Sequence, residues 1–417
     1  MVRGISNVSG VACHLSCALQ LICHLVPLRE ALIAQYEHPV AQSKELAEFG
    51  RLFAALSLER GDPVDPTAIY KTIERLTSIN QHDVGDVSNA LSKLLEIIRK
   101  ASPDSIPEWE LLLNMIFFGG KTRQTIVGRK RVGDAVIIRT KTGEPKSMAC
   151  PFPLVGTFES VEVALGSAFQ SQLVAGYNWD RSGQVYDEER IQEEASHVCS
   201  DDWTTHKTLH LEALPNYWFL HVERFTYQDG DKTLSNPKVD IPAMLNLSKY
   251  LRDAAMYNLL GGVLHVTEDA IEEEGHYVVL LRVSAEHWIL VDDDKCTPHT
   301  QETALELLSG AKDKHGHFLC GTLLVYGNEA DDAAESQILS DLKRKISEIS
   351  TAELSQVGVK FSEDVVGKRL SVRWAKGKSY PGIVKSFDPS TGKHRVRYDD
   401  GEEKEYNLAK KTIQWGN

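Results

Sequence analysis

Apolar side chains recur with helical spacing early in the chain and with strand-like spacing afterwards. A first helical pattern begins near Cys13, and a longer helical region covers residues 28–117. The positions that carry both are Leu15, Leu19, Ile22, Leu25, Leu46, Phe49, Phe53, Leu56, Leu91, Leu94, Leu95 and Ile98. Residues 121–326 instead contain short runs rich in β-branched and aromatic residues, at 135–138, 217–222, 277–283 and 322–326. Helices followed by many strands predict an α+β fold.

The last part of the chain predicts a connecting helix and a small all-β unit. After an acidic stretch, a linker over 328–363 contains an amphipathic helical pattern, at Ile338, Leu342, Ile346 and Ile349. This helix either packs on its own domain, which is the commoner arrangement, or binds a partner. Residues 364–417 contain strand-like runs at 372–374, 380–384 and 394–398, separated by turn signals. They predict a separate small barrel.

The cysteines restrict the class of protein. Seven are present, at positions 13, 17, 23, 150, 199, 296 and 320. Their odd number and irregular spacing indicate a reducing, intracellular compartment, the cytoplasm or the nucleus. No two are spaced Cys-x-x-Cys, so we predict no four-cysteine zinc site and expect no cofactor. No apolar run reaches the roughly 20 residues that span a bilayer, so we expect no membrane partner.

Net charge is distributed unevenly along the chain. The whole chain carries −13, whereas residues 364–417 contain twelve Lys or Arg and seven Asp or Glu, a net charge of +5. The acidic remainder suits a basic protein substrate, although excess acid more often only increases solubility. The basic tail leaves contact with nucleic acid open.

Cys13 is a candidate nucleophile. Gly10 allows a tight turn before it, and the apolar helical pattern begins at the cysteine itself. The positive end of the helix dipole favours the thiolate, which is the attacking species. The amide of Asn7, just upstream, is placed to donate to a developing oxyanion. By itself, however, a cysteine that enters an apolar helix is more often a small core residue.

His276 and the acidic run that ends the next strand are candidates for the base and its orienting carboxylate. His276 begins a β-branched run, and Asp292, Asp293 and Asp294 follow a second run that starts at Trp288. Two adjacent antiparallel strands would bring His276 beside Asp292, which would orient the imidazole. A structural histidine and a solvated acidic turn are the ordinary alternatives. The rival His287 is predicted to lie in the loop before Trp288.

Four segments in order, across about residues 1–327, resemble the ubiquitin-specific proteases. GISNVSGVACHLSCALQ resembles the family's cysteine box at Gly4, Ile5, Asn7, Gly10, Cys13, Leu19 and Gln20. GHYVVLLRVSAEHWILVDDD resembles its histidine box at Gly275, His276, Tyr277, Trp288, Asp292 and Asp293. Between them, residues 81–95 resemble the family's QxDAxEF…LL helix, and residues 214–225 resemble LPxxLxLxLxRF.

The resemblance implies a papain-like cysteine protease fold with a helical thumb and a β-rich palm and fingers. The activity implied is deubiquitination, with ubiquitin and ubiquitinated proteins as partners. Cys13 would attack the carbonyl after the last glycine of ubiquitin, and His276 would act as base and acid. Asp292 would orient His276, with Asp293 as the second candidate. Asp83 would contact ubiquitin's tail, and Tyr277 would line the channel over its glycines.

Residues 366–415 resemble a Tudor-type barrel. In such barrels aromatic side chains form a cage for methylated lysine or arginine, and Trp374, Tyr380 and Tyr398 occupy matching positions here. Phe387 is a candidate fourth member. The alternative is that these rings only fill the core of a small barrel. The predicted domains are therefore 1–327, catalytic; 328–363, linker; and 364–417, Tudor-like.

The cysteine segment departs from the family pattern. One extra residue separates Asn7 from Cys13, and His14 and Ser16 replace the usual Tyr and Asn. Two alternatives therefore remain beside the enzyme: a catalytically silent ubiquitin-binding scaffold, and a chromatin or ribonucleoprotein adaptor that acts mainly through its tail.

Overall fold

The computed structural model describes most of the chain and divides it into two compact units. The described residues are 3–7, 10–38, 40, 43–58, 62–79, 82, 85–132, 135–175, 177, 179, 203–228, 231–234, 236–251, 255–268, 275–313, 315–328, 332–360, 365–373, 379–388, 391, 393–408 and 413–415. The first unit comprises residues 1–37 and 42–343, and the second comprises residues 38–41 and 344–417.

Helices make up the first hundred residues, as the apolar spacing predicts. They are α1 (Cys13–His24), α2 (Val26–Glu37), α3 (Lys44–Leu56), α4 (Thr67–Leu76), α5 (Val87–Ala101) and α6 (Glu108–Leu113), which continues as a π-helical turn over Asn114–Phe118. Within the described part of the chain, three further helices follow among the strands: α7 (Val161–Phe169), α8 (Gln301–Gly310) and α9 (Asp332–Lys360). Asp86 caps α5 by accepting from the backbone N–H of Asn89. The predicted apolar positions of α3 and α5 are buried.

Among the described helices, none alone has the length and apolar content to cross a membrane. Helices α1 and α2, which meet at 96°, pass such a test of length and composition only when they are taken together.

A mixed sheet forms the palm of the first unit. Its strands are β4 (Phe152–Leu154), β7 (Tyr217–Val222), β10 (Met244–Asn246), β11 (Met256–Thr267), β12 (His276–Arg282), β13 (His287–Asp292), β14 (Lys295–Thr300), β15 (Ala311–Lys312) and β16 (Phe318–Asn328). The order is β14-β13-β12-β11-β16-β7-β4, with β10 on β11 and β15 on β16. Only the pairing of β4 with β7 is parallel among these described strands.

Adjacent glycines in β11 let helices approach both faces of the palm sheet. The side chain of Leu21 in α1 lies over Gly261, and that of Leu308 in α8 lies over Gly262. A Cβ at Gly262 would come within 2.7 Å of Leu308. Because successive strand residues point to opposite faces, α1 and α8 lie on opposite sides of the sheet.

A second sheet forms the fingers. Its strands are β1 (Lys121–Val132), β2 (Ala135–Thr142), β3 (Lys146–Ser147), β5 (Gln172–Val174) and β6 (Trp203–Ala213), in the order β2-β1-β6-β5 with β3 on β1. Trp179 packs over Gly128 and donates its indole N–H to Thr205 Oγ1 at 2.8 Å. Its ring lies 5.7 Å from that of Trp203, so an aromatic contact supports the sheet. A separate hairpin joins β8 (Phe225–Gln228) and β9 (Asp231–Leu234).

Arg224, at the end of β7, is a buried cation that ties several elements together. Its guanidinium donates to the carbonyl oxygens of Leu308 and Gly321 at 2.7 Å each, of Asn236 at 2.9 Å and of Ser309 at 3.3 Å. The side chain is 2% exposed. The buried charge is thus compensated by carbonyl dipoles from the end of α8, from β16 and from the loop after β9.

The first turns of α9 pack within the first unit. Glu335 is buried and accepts from Asn216 Nδ2 at 2.9 Å and from the Tyr217 hydroxyl at 3.4 Å. Lys343 pairs with Glu30 of α2 at 2.9 Å. The predicted apolar positions Leu342 and Ile346 are fully buried. The boundary between the two units falls within this helix, after residue 343.

The second unit contains a five-stranded antiparallel sheet. Its strands are β17 (Arg369–Arg373), β18 (Ser379–Asp388), β19 (Lys393–Tyr398), β20 (Glu403–Tyr406) and β21 (Ile413–Trp415), in the order β20-β19-β18-β17-β21. Its buried core consists of Val365, Leu370, Val372, Val384, Val396, Tyr398 and Leu408. The sheet agrees with the predicted all-β character of the tail, whereas its Tudor-like identity stays a prediction.

Candidate active site

Cys13 is the first residue of α1. Gly10 adopts a positive φ of 78°, which provides the predicted turn before the helix. The N-cap residue of α1 is Ala12, whose side chain makes no cap bond, and Cys13 is 7% exposed. The thiol therefore lies at the positive end of the helix dipole.

His276, the first residue of β12, contacts both of its predicted partners. Its Nε2 lies 2.6 Å from Asp292 Oδ1, and its ring also makes a hydrogen bond with the Cys13 side chain. Asp292 ends β13, which pairs with β12 in antiparallel register. Because Nε2 is engaged with the carboxylate, Nδ1 is the ring nitrogen left for the thiol.

The hydrogen bonds of His276 stabilise both its own protonated form and the ionised form of Asp292. The hydrogen bond with Asp292, followed by that with Cys13, raises the pKa of His276 from 6.5 to about 10. In return, the His276 hydrogen bond lowers the pKa of the Asp292 carboxyl. The doubly hydrogen-bonded His276 imidazole is thus well placed to hold the proton of the Cys13 thiol.

Asp293 has a different partner from Asp292. Its Oδ2 accepts from Asn7 Nδ2 at 3.0 Å, and Asn7 Oδ1 accepts from the backbone N–H of Ala12 at 3.3 Å. Asp293 adopts a positive φ of 50°, and burial raises the pKa of its carboxyl. These bonds fix the Asn7 amide directly before the nucleophile. The bond to Asp293 uses one of the two N–H groups of the Asn7 amide.

The segment around Gly4 packs against the same turn. The backbone N–H of Ile5 donates to the carbonyl of Asp293 at 2.9 Å. A Cβ at Gly4 would lie 2.5 Å from that carbonyl oxygen. The segment that precedes the nucleophile is therefore held directly against the turn that follows β13.

The two residues predicted to bind ubiquitin's tail are only partly observed. Tyr277 lies on the opposite face of β12 from His276, with its ring 5.1 Å from that of His265, and burial raises the pKa of its hydroxyl. Asp83 lies outside the described residues.

Sequence reasoning was wrong about one histidine and missed one pairing. His287 is the first residue of β13, paired with Thr300, and not part of a loop. The bond between Asn7 and Asp293 joins residues 286 positions apart, and no local pattern signals it.

The described strands of the fingers sheet offer no cysteine ligands for a four-cysteine zinc site. β1, β2, β3, β5 and β6 contain no cysteine, and the ring of Trp179 covers Gly128 on β1. Cys199 lies outside the described residues. Among the described residues, the cluster with metal-ligand spacing is His276, Asp292 and Asp293, which is the catalytic candidate itself.

The predicted cage residues of the second unit have unequal exposure. Tyr398 is 4% exposed and donates its hydroxyl to that of Tyr406 at 2.9 Å, so it belongs to the core. Tyr380 is 39% exposed and meets Tyr398 edge to face, with ring centroids 6.5 Å apart. Phe387 packs against His394, and Trp374 lies outside the described residues.

Relatives were found along the chain. Ubiquitin carboxyl-terminal hydrolase 17-like protein A of Mus musculus is 24% identical over 315 residues, covering 70% of this chain and 53% of the relative. Probable ubiquitin carboxyl-terminal hydrolase 9 of Schizosaccharomyces pombe is 29% identical over 173 residues, covering 40% and 28%. A stretch of 60 residues is 40% identical to DNA mismatch repair protein MSH6 of Arabidopsis thaliana, covering 14% and 4%. The chain thus spans about half the length of the longest-matching relatives.

The fold and the family follow from two further comparisons. A structure of the SAGA Ubp8/Sgf11/Sus1/Sgf73 DUB module bound to ubiquitin aldehyde matches with a TM-score of 0.56 and 14% identity, covering 79% of this chain and 70% of that one. This likeness confirms the predicted papain-like α+β fold. The sequence profile described as "Ubiquitin carboxyl-terminal hydrolase" matches residues 3–326, which is most of the chain. The chain therefore belongs to the ubiquitin carboxyl-terminal hydrolase family.

Proposed function

We propose that the chain is a cysteine-type deubiquitinase that cleaves the isopeptide bond after the last glycine of ubiquitin. The observation that carries the proposal is the position of His276, which contacts the Cys13 thiol on one side and Asp292 at 2.6 Å on the other. A nucleophile, a base and an orienting carboxylate in this relation are the requirements of thiol hydrolysis.

The chemistry follows from these contacts. Nδ1 of His276 takes the proton of the Cys13 thiol, and the thiolate attacks the glycine carbonyl carbon. The oxyanion that forms accepts from the Asn7 amide and from backbone N–H groups at the start of α1. Nδ1–H then protonates the leaving lysine amine, and water hydrolyses the thioester that remains on Cys13.

The experiment that tests the proposal is reaction with a ubiquitin probe that carries an electrophile at its C-terminus. We expect a covalent adduct of one ubiquitin per chain, together with release of fluorophore from a ubiquitin C-terminal amide. Ubiquitin binding without adduct or turnover would instead identify the silent scaffold that the altered cysteine segment raises as an alternative.

We propose a second, separate function for the tail: weak binding of a methylated lysine or arginine peptide. The ring of Tyr380 supports it, because this ring is 39% exposed and offers a π face to a cation. Titration of the full chain with methylated and unmethylated peptides tests it. Equal binding of both, or binding unchanged by Tyr380→Ala, would contradict the reader function.

A further inference from the structure

A cavity of about 860 Å³ adjoins the candidate catalytic pair and extends beyond it. Its wall includes His276 and Asp292, together with Glu268 after β11 and Asp313 before β16. Pockets that bind drug-sized ligands measure about 300–1,000 Å³, so the cavity has room for several side chains.

The cavity lies on the opposite face of the palm sheet from Tyr277. Alternation along β12 places Tyr277 on the α1 face, whereas His276 and Val278 lie on the α8 face. Val278, like His276, lines the cavity. If ubiquitin's tail runs along the Tyr277 side, the cavity lies beyond the scissile bond, where the leaving group is found.

The wall of the cavity combines carboxylates with an apolar floor. Val278, Leu290 and Leu319 form the floor, and Glu268 is an exposed carboxylate at the rim. Asp313 Oδ1 accepts from the backbone N–H groups of His315 at 2.8 Å and of His317 at 3.0 Å, and Asp313 Oδ2 lies 3.3 Å from His317 Nδ1, which fixes its loop. The side chains of His315 and His317 also line the cavity. Lysine and arginine match such a wall, because their stems cover apolar surface while their charges reach carboxylates.

We propose that this cavity binds a basic side chain of the protein to which ubiquitin is attached. The inference rests on the proposed deubiquitinase function. His276 protonates the leaving lysine, so the polypeptide that carries this lysine passes next to the cavity wall. A lysine or arginine close to the acceptor lysine then places its charge between Glu268 and Asp313. The preferred substrates are ubiquitin conjugates on basic segments.

Two matched conjugates test the proposal with the full chain. In both, ubiquitin is joined to the central lysine of a short peptide; arginines flank that lysine in one, and glutamates in the other. We expect kcat/KM to be about fivefold higher for the basic conjugate, from two partly exposed charge pairs. The preference should shrink as salt concentration rises.

Side-chain substitutions test whether Glu268 and Asp313 cause the preference for the basic conjugate. Glu268→Gln combined with Asp313→Asn should reduce the ratio to about one, whereas Glu286→Gln, an exposed carboxylate at the far end of β12, should leave both the ratio and the basal activity unchanged. Melting curves confirm that each variant folds. A wild-type ratio of one, with the ubiquitin amide still cleaved, would overturn this inference and leave the proposed function intact. A preference that persists in the double variant, or that disappears with EDTA and so indicates a bound cation, would also overturn it.

Discussion

Cys13 and Cys17 lie one helical turn apart on α1, yet their surroundings differ. Burial raises the pKa of Cys17 well above its ordinary value, so its thiol stays protonated. Cys13 contacts His276 instead. We therefore expect Cys13→Ala to abolish the adduct with the electrophilic ubiquitin probe and Cys17→Ala to retain it, as measured by intact mass spectrometry. An adduct on Cys17 would refute the assignment.

The pKa of His276 predicts the alkaline pH at which kcat/KM falls. With that pKa at about 10, the imidazolium persists through neutral pH, and kcat/KM should fall only as pH approaches 10. The free energy of unfolding should change with pH in the same direction. The contribution of His276 to it is fully present below the unfolded pKa of about 6.5 and is lost as pH rises through about 10. Asp292→Asn removes the main cause, so the alkaline fall in kcat/KM should move toward neutral pH. A pH profile of both forms measures this, and an unmoved limb would contradict it.

The positions of Asn7 and Asp293 predict that their substitution lowers kcat and leaves KM nearly unchanged. Removal of one oxyanion donor typically costs about 10²–10³ in kcat, so Asn7→Ala should lower kcat in that range and leave KM nearly unchanged. Asp293→Ala should produce a smaller loss of the same kind, because it only releases the Asn7 amide from its 3.0 Å bond. Steady-state kinetics on a ubiquitin amide measure both. A rise in KM alone would assign these residues to substrate binding.

At the scale of elements, the buried bonds of Arg224 predict that α8, β7 and β16 stabilise one another. Arg224→Met leaves several buried carbonyl oxygens without a donor and should lower the free energy of unfolding by about 3–5 kcal/mol. The control is Arg75→Met: Arg75 has a side chain 59% exposed and pairs with Glu45, so its loss should cost less than about 1 kcal/mol. Urea denaturation compares the two, and equal losses would contradict the role of Arg224.

The sequence predicts the helices, the strands and the site contacts between neighbouring strands. It does not predict the site contacts between residues that are far apart in the chain. The helical spacing at Leu91, Leu94 and Leu95 predicts α5 because a buried helix face repeats every three or four residues. His276 and Asp292 were predictable as neighbours because a short turn joins their strands. The bond of Asn7 to Asp293 and the cavity beside His276 depend on packing between distant segments, which no local pattern encodes. His287 was assigned to a loop because it is an exposed polar residue at the first position of its strand, where apolar alternation gives no signal.

At the scale of the whole molecule, the first turns of α9 belong to the catalytic unit. A chain that ends after Lys343 keeps the bonds of Glu335 to Asn216 and of Lys343 to Glu30. It should cleave a ubiquitin amide within about twofold of the full chain, because no proposed catalytic residue lies beyond Asp293. A chain that ends after Asn328 loses these bonds and the buried Leu342, and it should melt at a lower temperature. Equal melting temperatures of the two shortened chains would refute the role of α9.

The contact of Gly4 with the turn at Asp293 determines which amino-acid substitutions position 4 tolerates. A methyl group at Gly4 would collide with backbone, which cannot swing aside as a side chain can. In a library of all single substitutions selected for deubiquitination, Gly4 should therefore tolerate no replacement, although it carries no reactive group. Such a profile would look like that of a catalytic residue, and only the space around its α-carbon explains it.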